Sequence, residues 1–364
     1  MQIGIVNFGA YIPLHRISKR VIGEMWGRAV GRGEKAVANW DEDSLTMAIE
    51  SCIDSMVGCD RDSIDGILFA STTPPYREKQ SASLMRKVLN LRPITFSADI
   101  CNSLRGGTIG LKIAMDAVKA GAGKKYLVAA SDLRISAPNS DLELEFGDGA
   151  AALMVGCEDV VATINAHQTV CSEFIDIWRR DKDSYTQMWE DRFALTEGYQ
   201  KIMVQSLKDF FNKLSIRPED YTMAAIYAPN LRALRAVSRK VGLEFGKQIS
   251  TRLFGDVGNT GNAFAFMMFI EALEKSKPGD RILLAAYGDG VDLFDFKVTE
   301  KITDTTRGRG IKKHLASSAP LESYGGYLRF RNLLEWGFDR RPPDRTSLPI
   351  LNRESSQIYS LHGS

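Results

Sequence analysis

Apolar runs with the length of strands alternate along the chain with segments whose apolar residues recur at helical spacing. The first apolar run spans Ile3 to Phe8 and ends in a turn that contains glycine. An amphipathic helical stretch then runs from Asp41 to Met56, and a charged turn from Cys59 leads into a second strand-like run from Gly66. This alternation predicts an α/β protein with a largely parallel sheet covered by helices.

The same order of elements returns about 155 residues later. A helical stretch covers Glu197 to Leu214, a charged turn follows from Arg217, and a strand-like run begins at Met223. The run KKYLVAASD from Lys124 likewise resembles DRILLAAYGDG from Asp280, and each follows a helical segment and a glycine-containing turn. The repetition predicts two similar α/β halves, with a chance echo inside one α/β protein as the alternative.

We place the two predicted halves at residues 1–160 and 161–302, followed by a basic segment over 303–364. That segment contains ten Lys and Arg against six Asp and Glu, which gives it a net charge of +4 and leaves −2 for the first 302 residues. The stretch from Tyr324 has the aromatic and leucine content of a segment that packs against something. The rest, punctuated by a proline pair, predicts an arm lying on a surface.

Composition narrows the class of protein. The 364 residues are 44% hydrophobic and 25% charged, which excludes a disordered chain. The formal net charge of +2 provides no overall attraction for nucleic acid or for an anionic membrane. The longest apolar stretch, Ala263 to Ile270, is far too short to span a bilayer. The N-terminus lacks the pattern of a secretion signal, so we expect a cytoplasmic protein.

The cysteines form no C-x-x-C pair, and their number, five, is odd. They are Cys52, Cys59, Cys101, Cys157 and Cys171. A disulfide framework and a complete zinc site within this chain are therefore not expected. A single thiol can still act as a nucleophile where a helix N-terminus lowers its pKa.

One turn joins the end of a predicted strand to the start of a predicted helix. The run ITFSADICNSLRGGTIGL begins at Ile94, its β-rich part ends at Asp99, and a helical segment follows over Thr108 to Ala120. Gly106 and Gly107 lie between the two. A residue in such a turn faces the unpaired N–H groups of the helix, which stabilise an oxyanion and lower the pKa of a thiol.

The run NSLRGGTIGL, from Asn102, resembles the nucleophile turn N-A-C-x-G-G-T of hydroxymethylglutaryl-CoA synthases and ketoacyl synthase III enzymes of the thiolase superfamily. The opening GIVNFGAYIP, the run RGEKAVANWDEDSLTMAIES from Arg32 and TPPYREK from Thr73 resemble bacterial and archaeal hydroxymethylglutaryl-CoA synthases. Glycine turns in FGDGAAALMVG, FGDVGNTGNAFA and YGDGVDLF are similarly placed. The resemblance covers about residues 1–302 and implies a thiolase fold, with duplicated α/β halves in α-β-α-β-α layers.

The sequence departs from the family at the positions that carry its chemistry. Aligning NSLRGG with N-A-C-x-G-G places Leu104 where the acylated cysteine is expected, and Cys101 lies three residues earlier, on the strand side. The motif of the catalytic histidine is matched by YAPN, with Tyr227 in the histidine position. Thr72 occupies the position of the acid/base glutamate, whereas Asn259 in GNTGNA is retained.

Leucine has no lone pair with which to attack a thioester, and a hydroxyl such as that of Ser103 needs a neighbouring base. The histidines fall outside the matched motifs and are expected to be surface or packing residues: His15, His167, His314 and His362. Condensation through an acyl-enzyme intermediate is therefore not expected. For Cys101 two interpretations stay open, a buried packing residue or a displaced nucleophile.

Tyr227 and Asn259 carry hydrogen-bonding groups that can polarise a thioester carbonyl and stabilise an enolate without a covalent intermediate. The resemblance implies a CoA thioester as substrate or ligand, and thiolase-like aldolases that use tyrosine belong to the superfamily. The alternative is that Tyr227 merely fills a former active-site cavity. Candidates for binding the diphosphate end of CoA are Arg77, Lys79 and Arg232.

In the basic segment, YLRFRNLL from Tyr327 resembles the C-terminal connector of archaeal synthases. The run LPILNRESSQIYSLHGS from Leu348 resembles the helix that precedes a rubredoxin-like zinc ribbon and OB-fold. The sequence ends at Ser364, where the first C-x-x-C of a ribbon is expected. We expect either that the natural protein continues or that another chain supplies the ribbon and its zinc; a plain C-terminal arm is the third option.

Two functions compete at this point. The first is a synthase-like subunit with a degenerate site, acting as the partner of an active thiolase and of a zinc-ribbon/OB-fold protein. The second is an acyl-CoA aldolase or Claisen-type enzyme that uses Tyr227 and Asn259 to form or cleave a C–C bond. Both imply an acyl-CoA ligand, a homodimer or hetero-oligomer, no covalently bound cofactor and no metal held by this chain.

Overall fold

The computed structural model describes residues 2–304 and 308–334. The strands of this part of the chain are β1 (Gly4–Tyr11), β2 (His15–Ser18), β3 (Glu34–Val37), β4 (Gly66–Ser71), β5 (Phe96–Cys101), β6 (Lys125–Asp132), β7 (Gly149–Gly156), β8 (Ala162–Cys171), β9 (Ile177–Trp178), β10 (Gln187–Met188), β11 (Met223–Ile226), β12 (Arg281–Tyr287), β13 (Gly290–Val298) and β14 (Ala319–Pro320). Every residue of β4 and β7 is buried, as expected for strands covered on both faces.

The helices of the same part of the chain are α1 (Lys19–Trp26), α2 (Ser44–Ser55), α3 (Ser81–Val88), α4 (Gly106–Lys119), α5 (Asp141–Glu145), α6 (Asp191–Phe193), α7 (Lys201–Leu214), α8 (Leu231–Val241), α9 (Arg252–Asp256), α10 (Asn262–Lys275), α11 (Gly310–Leu315) and α12 (Tyr324–Phe330). A capping box at Asp43 and Thr46 starts α2, and a π-helical turn over Ala194–Gln200 leads into α7. Among the described residues, no helix combines the length and the apolar character needed to cross a membrane.

One large sheet contains the strands in the order β11-β12-β13-β8-β1-β7-β6-β4-β5. Strands β1 and β8 are neighbours near the middle of this sheet. The order continues from β1 as β7-β6-β4 and from β8 as β13-β12-β11, so the same strand order occurs twice. The parallel pair β4/β6 corresponds to the parallel pair β11/β12. The predicted duplication of α/β halves is present in the sheet, and the boundaries at residues 160 and 302 stay predictions.

The sheet is mixed, so the prediction of a largely parallel sheet is wrong. The pairs β4/β5, β4/β6 and β11/β12 are parallel, whereas β1/β7, β1/β8, β6/β7, β12/β13 and β8/β13 are antiparallel. The reason lies in the connections. A tight turn at Gly288 and Asp289 joins β12 to β13, and such short links force neighbouring strands to run in opposite directions.

The core is layered. Alternate residues of β4 enter two different apolar clusters: Ile67 and Phe69 pack with α2, whereas Leu68 and Ala70 pack with the cluster that includes α10. Helix α10 contacts β6 and β7 of one half and β11 and β12 of the other, and its residues from Asn262 to Leu273 are all buried. Helices α2 and α7 cover the outer faces. The predicted α-β-α-β-α layering is therefore confirmed.

The first part of the basic segment belongs to the folded body. Helix α12 buries Tyr324 and Tyr327 against Ile17 and Ile22. Arg331, which directly follows this helix, forms an ion pair with Asp148 at 2.9 Å, and both side chains are almost fully buried. The predicted packing of the stretch from Tyr324 is confirmed as far as residue 334, because its aromatic side chains find apolar partners. The proline-punctuated arm predicted after it lies outside the described residues. The helix predicted from residue 348 lies outside the described residues.

Candidate active site

The turn between β5 and α4 has the strand–turn–helix geometry predicted for it. Asn102 has φ of +70°, in the left-handed region, and reverses the chain before α4 begins at Gly106. Gly288 approaches the turn so closely that a Cβ there would lie 2.8 Å from the backbone nitrogen of Leu104. Glycine is therefore required at position 288. Leu104, the residue predicted at the family's nucleophile position, lies in this turn, and its side chain offers no reacting atom.

Two neighbouring cavities open beside this turn. The first has a volume of about 230 Å³ and the second about 320 Å³. Their shared wall consists of Leu104, Arg134, Asp176, Ile177 and Tyr287. Because the two cavities share these wall residues, we treat them as two parts of one candidate ligand site.

Tyr227 and Asn259 meet in the first cavity. Tyr227 directly follows β11 and is 3% exposed, and the Asn259 amide nitrogen donates to its hydroxyl oxygen at 3.3 Å. The same nitrogen lies 3.2 Å from the carbonyl of Ala228 and 3.3 Å from that of Pro229. Asn259 therefore holds the turn that carries Tyr227. Among the described residues no acceptor takes the hydroxyl proton of Tyr227, so this proton is available to a ligand.

The phenol of Tyr227 remains a proton donor over the physiological range. Burial raises its pKa, and the charge of Arg134 together with the Asn259 hydrogen bond opposes the shift. The hydroxyl of Tyr199 donates to the main-chain oxygen of Tyr227 at 2.8 Å, which fixes the backbone below the ring. Within the described residues, the hydrogen-bond partner of the Tyr227 hydroxyl is the Asn259 side chain, and the role of Tyr227 in catalysis or in filling the cavity stays open.

Two carboxyl groups of the site were not identified from sequence. Burial raises the pKa of Glu145 and of Asp176, and Asp176 also accepts a hydrogen bond from the hydroxyl of Tyr287. A carboxyl with a raised pKa is a better proton carrier near neutral pH than an ordinary one. Glu145 directly precedes the FGDG run, and Tyr287 begins the YGDG run. Both residues could therefore have been found from these motifs. Asp176 precedes the short hairpin of β9 and β10, which has no motif.

Cys101 is exposed at the end of the edge strand β5. The interpretation as a buried packing residue is therefore wrong, because β5 has no neighbour on its outer side in the described chain. Cys101 is also absent from the walls of both cavities. Its pKa is raised, first by partial burial and then by the nearby Asp99 and Asp132, which lowers the thiolate fraction.

The basic residues proposed for CoA lie outside the two cavities. Arg77 is exposed and contacts Asp181 at 3.8 Å, Lys79 lies over the ring of Tyr76, and Arg232 is exposed on α8. The structure does not bring them together with Tyr227, and their assignment stays a prediction. Thr72 does line the second cavity, with its main-chain nitrogen donating to Asp132 at 2.6 Å.

The histidines of the described chain do not line the cavities, and no cluster of three or more potential metal ligands occurs among the described residues. His314 is buried against Tyr11, and desolvation lowers its pKa to about 4. His15 contacts Phe330, and His167 contacts Phe294. These three histidines pack against aromatic rings, whereas His362 lies outside the described residues.

Comparison with known proteins identifies the family. Residues 211–294 match the family model described as 3-Oxoacyl-[acyl-carrier-protein (ACP)] synthase III C terminal. The hydroxymethylglutaryl-CoA synthase of Aeropyrum pernix is 30% identical over 343 residues, which cover 91% of this chain and 94% of that protein. The chain belongs to the hydroxymethylglutaryl-CoA synthase family. The assignment of Leu104 and Tyr227 to the positions of this family's nucleophile and histidine stays a prediction from the sequence motifs.

Solved structures show the same architecture. A hydroxymethylglutaryl-CoA synthase complexed with CoA aligns with a TM-score of 0.82 and 18% identity, covering 90% of this chain and 89% of that one. The 3-oxoacyl-[acyl-carrier-protein] synthase III of Aquifex aeolicus VF5 aligns with a TM-score of 0.72 and 21% identity, covering 81% of this chain and 99% of that one. The predicted thiolase fold of this hydroxymethylglutaryl-CoA synthase-family chain is confirmed.

Proposed function

We propose that this chain binds an acyl-CoA and forms or cleaves a C–C bond next to the thioester carbonyl, without an acyl-enzyme intermediate. The observation that carries the proposal is the hydroxyl of Tyr227, which accepts a hydrogen bond from Asn259 and keeps its proton for a ligand. A buried donor of this kind stabilises the charge that develops on a thioester oxygen when the acyl group becomes an enolate. A hydroxymethylglutaryl-CoA synthase neighbour that binds CoA supports an acyl-CoA ligand.

The proton transfers of the proposed reaction need only side chains of the cavity. A carboxylate, Glu145 or Asp176, takes a proton from the α-carbon, and the electron pair moves to the thioester oxygen opposite Tyr227. The enolate carbon then adds to the carbonyl of a second substrate, and the new alkoxide takes the proton back. Cleavage is the same sequence reversed. Asn259 acts as a positioning residue, because its amide is committed to Tyr227 and to the neighbouring carbonyls.

The first experiment measures enolisation directly. The protein is incubated with acetyl-CoA or glutaryl-CoA in D₂O, deuterium at the α-carbon is followed by NMR, and the intact protein mass is recorded. We expect exchange with no change in protein mass. A stoichiometric acyl adduct on Cys101 would overturn the non-covalent mechanism, and binding without exchange would overturn the enzyme proposal in favour of a non-catalytic subunit.

A role as a subunit of a larger assembly is the second candidate function, and the edge strand β5 favours it. Ile94 is 80% exposed just before this strand, and Phe96 is 52% exposed at its start. An edge strand with exposed apolar side chains is suited to pairing with another chain. We propose that β5 joins this chain to a second copy or to a thiolase, with any zinc ribbon supplied by a partner or by further chain.

Replacing Phe96 by Lys is expected to convert the associated protein to a monomer, because a charge on the edge opposes strand pairing. Sedimentation velocity at micromolar concentration measures the change. Met25, which is 57% exposed on α1, provides the matched control, and Met25→Lys is expected to sediment as the wild type does. A monomeric wild type, or a Phe96→Lys variant that remains associated, would show that β5 is not the interface.

A further inference from the structure

Arg134 lies where the two cavities meet, and one nitrogen of its guanidinium has no partner. It follows the end of β6 by two residues, is 4% exposed and lines both cavities. Its Nη1 is buried without a hydrogen-bond partner among the described residues. By contrast, the buried guanidinium of Arg105 forms an ion pair with Asp292 at 2.9 Å. Arg134 therefore brings an unpaired N–H donor to the junction of the cavities.

The guanidinium of Arg134 is held in place by its neighbours. Its central carbon lies 3.9 Å from the centre of the Phe146 ring, a stacking distance that fixes the plane of the group and leaves the N–H donors at its edge open. Gly261, at φ +63°, leaves room for the stem, because a Cβ there would lie 3.0 Å from Arg134 Cδ. The donors are thus oriented before any ligand arrives, as electrostatic catalysis requires.

The wall of the first cavity carries much more negative than positive charge. Of its described wall residues, Arg134 alone is cationic. The others that titrate as acids are Asp141, Glu145, Asp176 and Asp191. Where these carboxyl groups ionise, they disfavour any negative charge that develops on a ligand between them. A reaction that passes through an anion in this cavity therefore needs a compensating cation, and Arg134 is placed to provide it.

The proposed reaction puts negative charge on two different oxygens in turn. The first is the thioester oxygen of the enolate, which lies opposite Tyr227. The second is the carbonyl oxygen of the other substrate, because addition of the enolate carbon moves the C=O electron pair onto that oxygen and makes it an alkoxide. An alkoxide is a stronger base than a phenolate and would take the proton of a phenol beside it. A guanidinium keeps its protons, so it stabilises the alkoxide without being consumed.

We infer that Arg134 is a catalytic residue of the bond-forming step and donates to the carbonyl oxygen of the second substrate. Tyr227 then stabilises the enolate oxygen and Arg134 the alkoxide oxygen, until the carboxyl that took the α-proton returns it. The new bond joins the α-carbon to the carbonyl carbon, and nothing is oxidised or expelled. In cleavage, Arg134 stabilises the same alkoxide as the C–C bond breaks. The inference rests on the proposed function, because it adds a second donor to the same site.

Acetoacetyl-CoA is the probe for this arrangement, because its thioester oxygen and its 3-oxo oxygen correspond to the enolate and alkoxide oxygens of the product. Its conjugated enolate is measured in the complex at pH 6 by near-ultraviolet absorbance. With the wild type we expect an enolate fraction at least about 10-fold above that of the free thioester, the scale of a charge-assisted hydrogen bond. Arg134→Gln is expected to lose most of this increase, and Arg134→Lys, which keeps the charge without the planar edge, to retain part of it.

Deuterium exchange at the α-carbon of acetyl-CoA separates the two donors, because acetyl-CoA has no second carbonyl oxygen. Arg134→Gln is expected to slow this exchange by no more than about 10-fold, through the loss of its attraction for the enolate at longer range. Tyr227→Phe is expected to slow it about 100- to 1,000-fold. Arg134→Gln is expected to fold as the wild type does, since the lost Nη1 leaves no partner unpaired among the described residues.

Arg235 supplies the matched control. Its guanidinium stacks on the ring of Phe245 at 4.8 Å, as that of Arg134 does on Phe146, but it lies outside both cavities. Arg235→Gln is expected to equal the wild type in the enolate fraction and in the exchange rate.

Four outcomes would contradict these expectations. Arg134→Gln with the wild-type enolate fraction, or a wild type that does not raise this fraction, would overturn the inference. Exchange with acetyl-CoA but no binding of acetoacetyl-CoA would do the same, because the site would then not accept the second oxygen. A loss of exchange in Arg134→Gln as large as that in Tyr227→Phe would assign Arg134 to the enolate oxygen instead. Absence of exchange in the wild type would overturn the proposed function itself.

Discussion

Replacing Tyr227 by Phe is expected to lower the rate of α-proton exchange in acyl-CoA about 100- to 1,000-fold, the cost of removing one donor from an oxyanion site. The substitution deletes only the hydroxyl. The ring is 3% exposed and packs edge-on against Phe264, with ring centres 6.3 Å apart, so its apolar contacts remain. Because the lost hydrogen bond strengthens only as the enolate forms, the binding of acyl-CoA is expected to change little.

Tyr126 provides the matched control for this variant. It is 4% exposed on β6, lies outside both cavities, and loses the same group in Tyr126→Phe. We expect its exchange rate to match that of the wild type. If Tyr227→Phe also exchanges at the wild-type rate, the tyrosine fills the cavity without acting in it. If both variants lose activity together with their folded circular dichroism signal, Asn259→Asp tests the same donor array with the ring in place.

The fold was predictable because its signals are local and repeated. The buried strands β4, β6, β11 and β12 appear as apolar runs in the sequence. The run from Gly66 becomes β4 and the run from Met223 becomes β11, which are corresponding strands of the two halves of the sheet. The direction of the strands was not predictable in the same way. It depends on which strands become neighbours, and a run of apolar residues contains no information on that point.

The candidate site, like the fold, could be predicted from the sequence only in part. Motif positions located Leu104 and Asn259 because their turns contain glycines that are visible in the sequence, and Tyr227 because it begins the run YAPN. Arg134 and Asp176 come from different parts of the chain and gain their meaning only where the cavities meet. Their signal is tertiary: the Arg134 Nη1 is buried without a hydrogen-bond partner in the described part of the chain, and burial raises the pKa of the Asp176 carboxyl. Neither property has a sequence pattern.

The basic tail illustrates how charge content can mislead. A net charge of +4 over residues 303–364 favours a solvated arm, yet Arg331 is paired inside the fold. The partner, Asp148, belongs to the FGDG turn, about 180 residues away along the chain. Its second oxygen accepts a hydrogen bond from the main-chain nitrogen of Ala38 at 2.7 Å. Asp148 thereby ties the tail to the strand–turn region that follows β3.

Replacing Arg331 by Met is expected to lower the free energy of unfolding by about 3–5 kcal/mol, the scale for removing one partner of a buried ion pair. The Asp148 carboxylate is fully buried, so the variant leaves it without its cation. Urea unfolding at pH 7, followed by circular dichroism, measures the change. Arg239→Met, at an exposed position of α8, is the control and is expected to cost no more than about 0.5 kcal/mol.

The double variant Arg331→Met/Asp148→Asn separates the pair from the packing around it. Once the carboxylate is neutral, the loss of Arg331 no longer leaves a buried charge, so the double variant is expected to be more stable than the sum of the single effects implies. An Arg331→Met variant as stable as Arg239→Met would mean that residue 331 is not anchored in the core. Full additivity of the two substitutions would mean that each acts through packing alone. The expected coupling, by contrast, makes the tail up to Arg331 a part of the cooperative fold that also holds the FGDG turn beside Glu145 and the site.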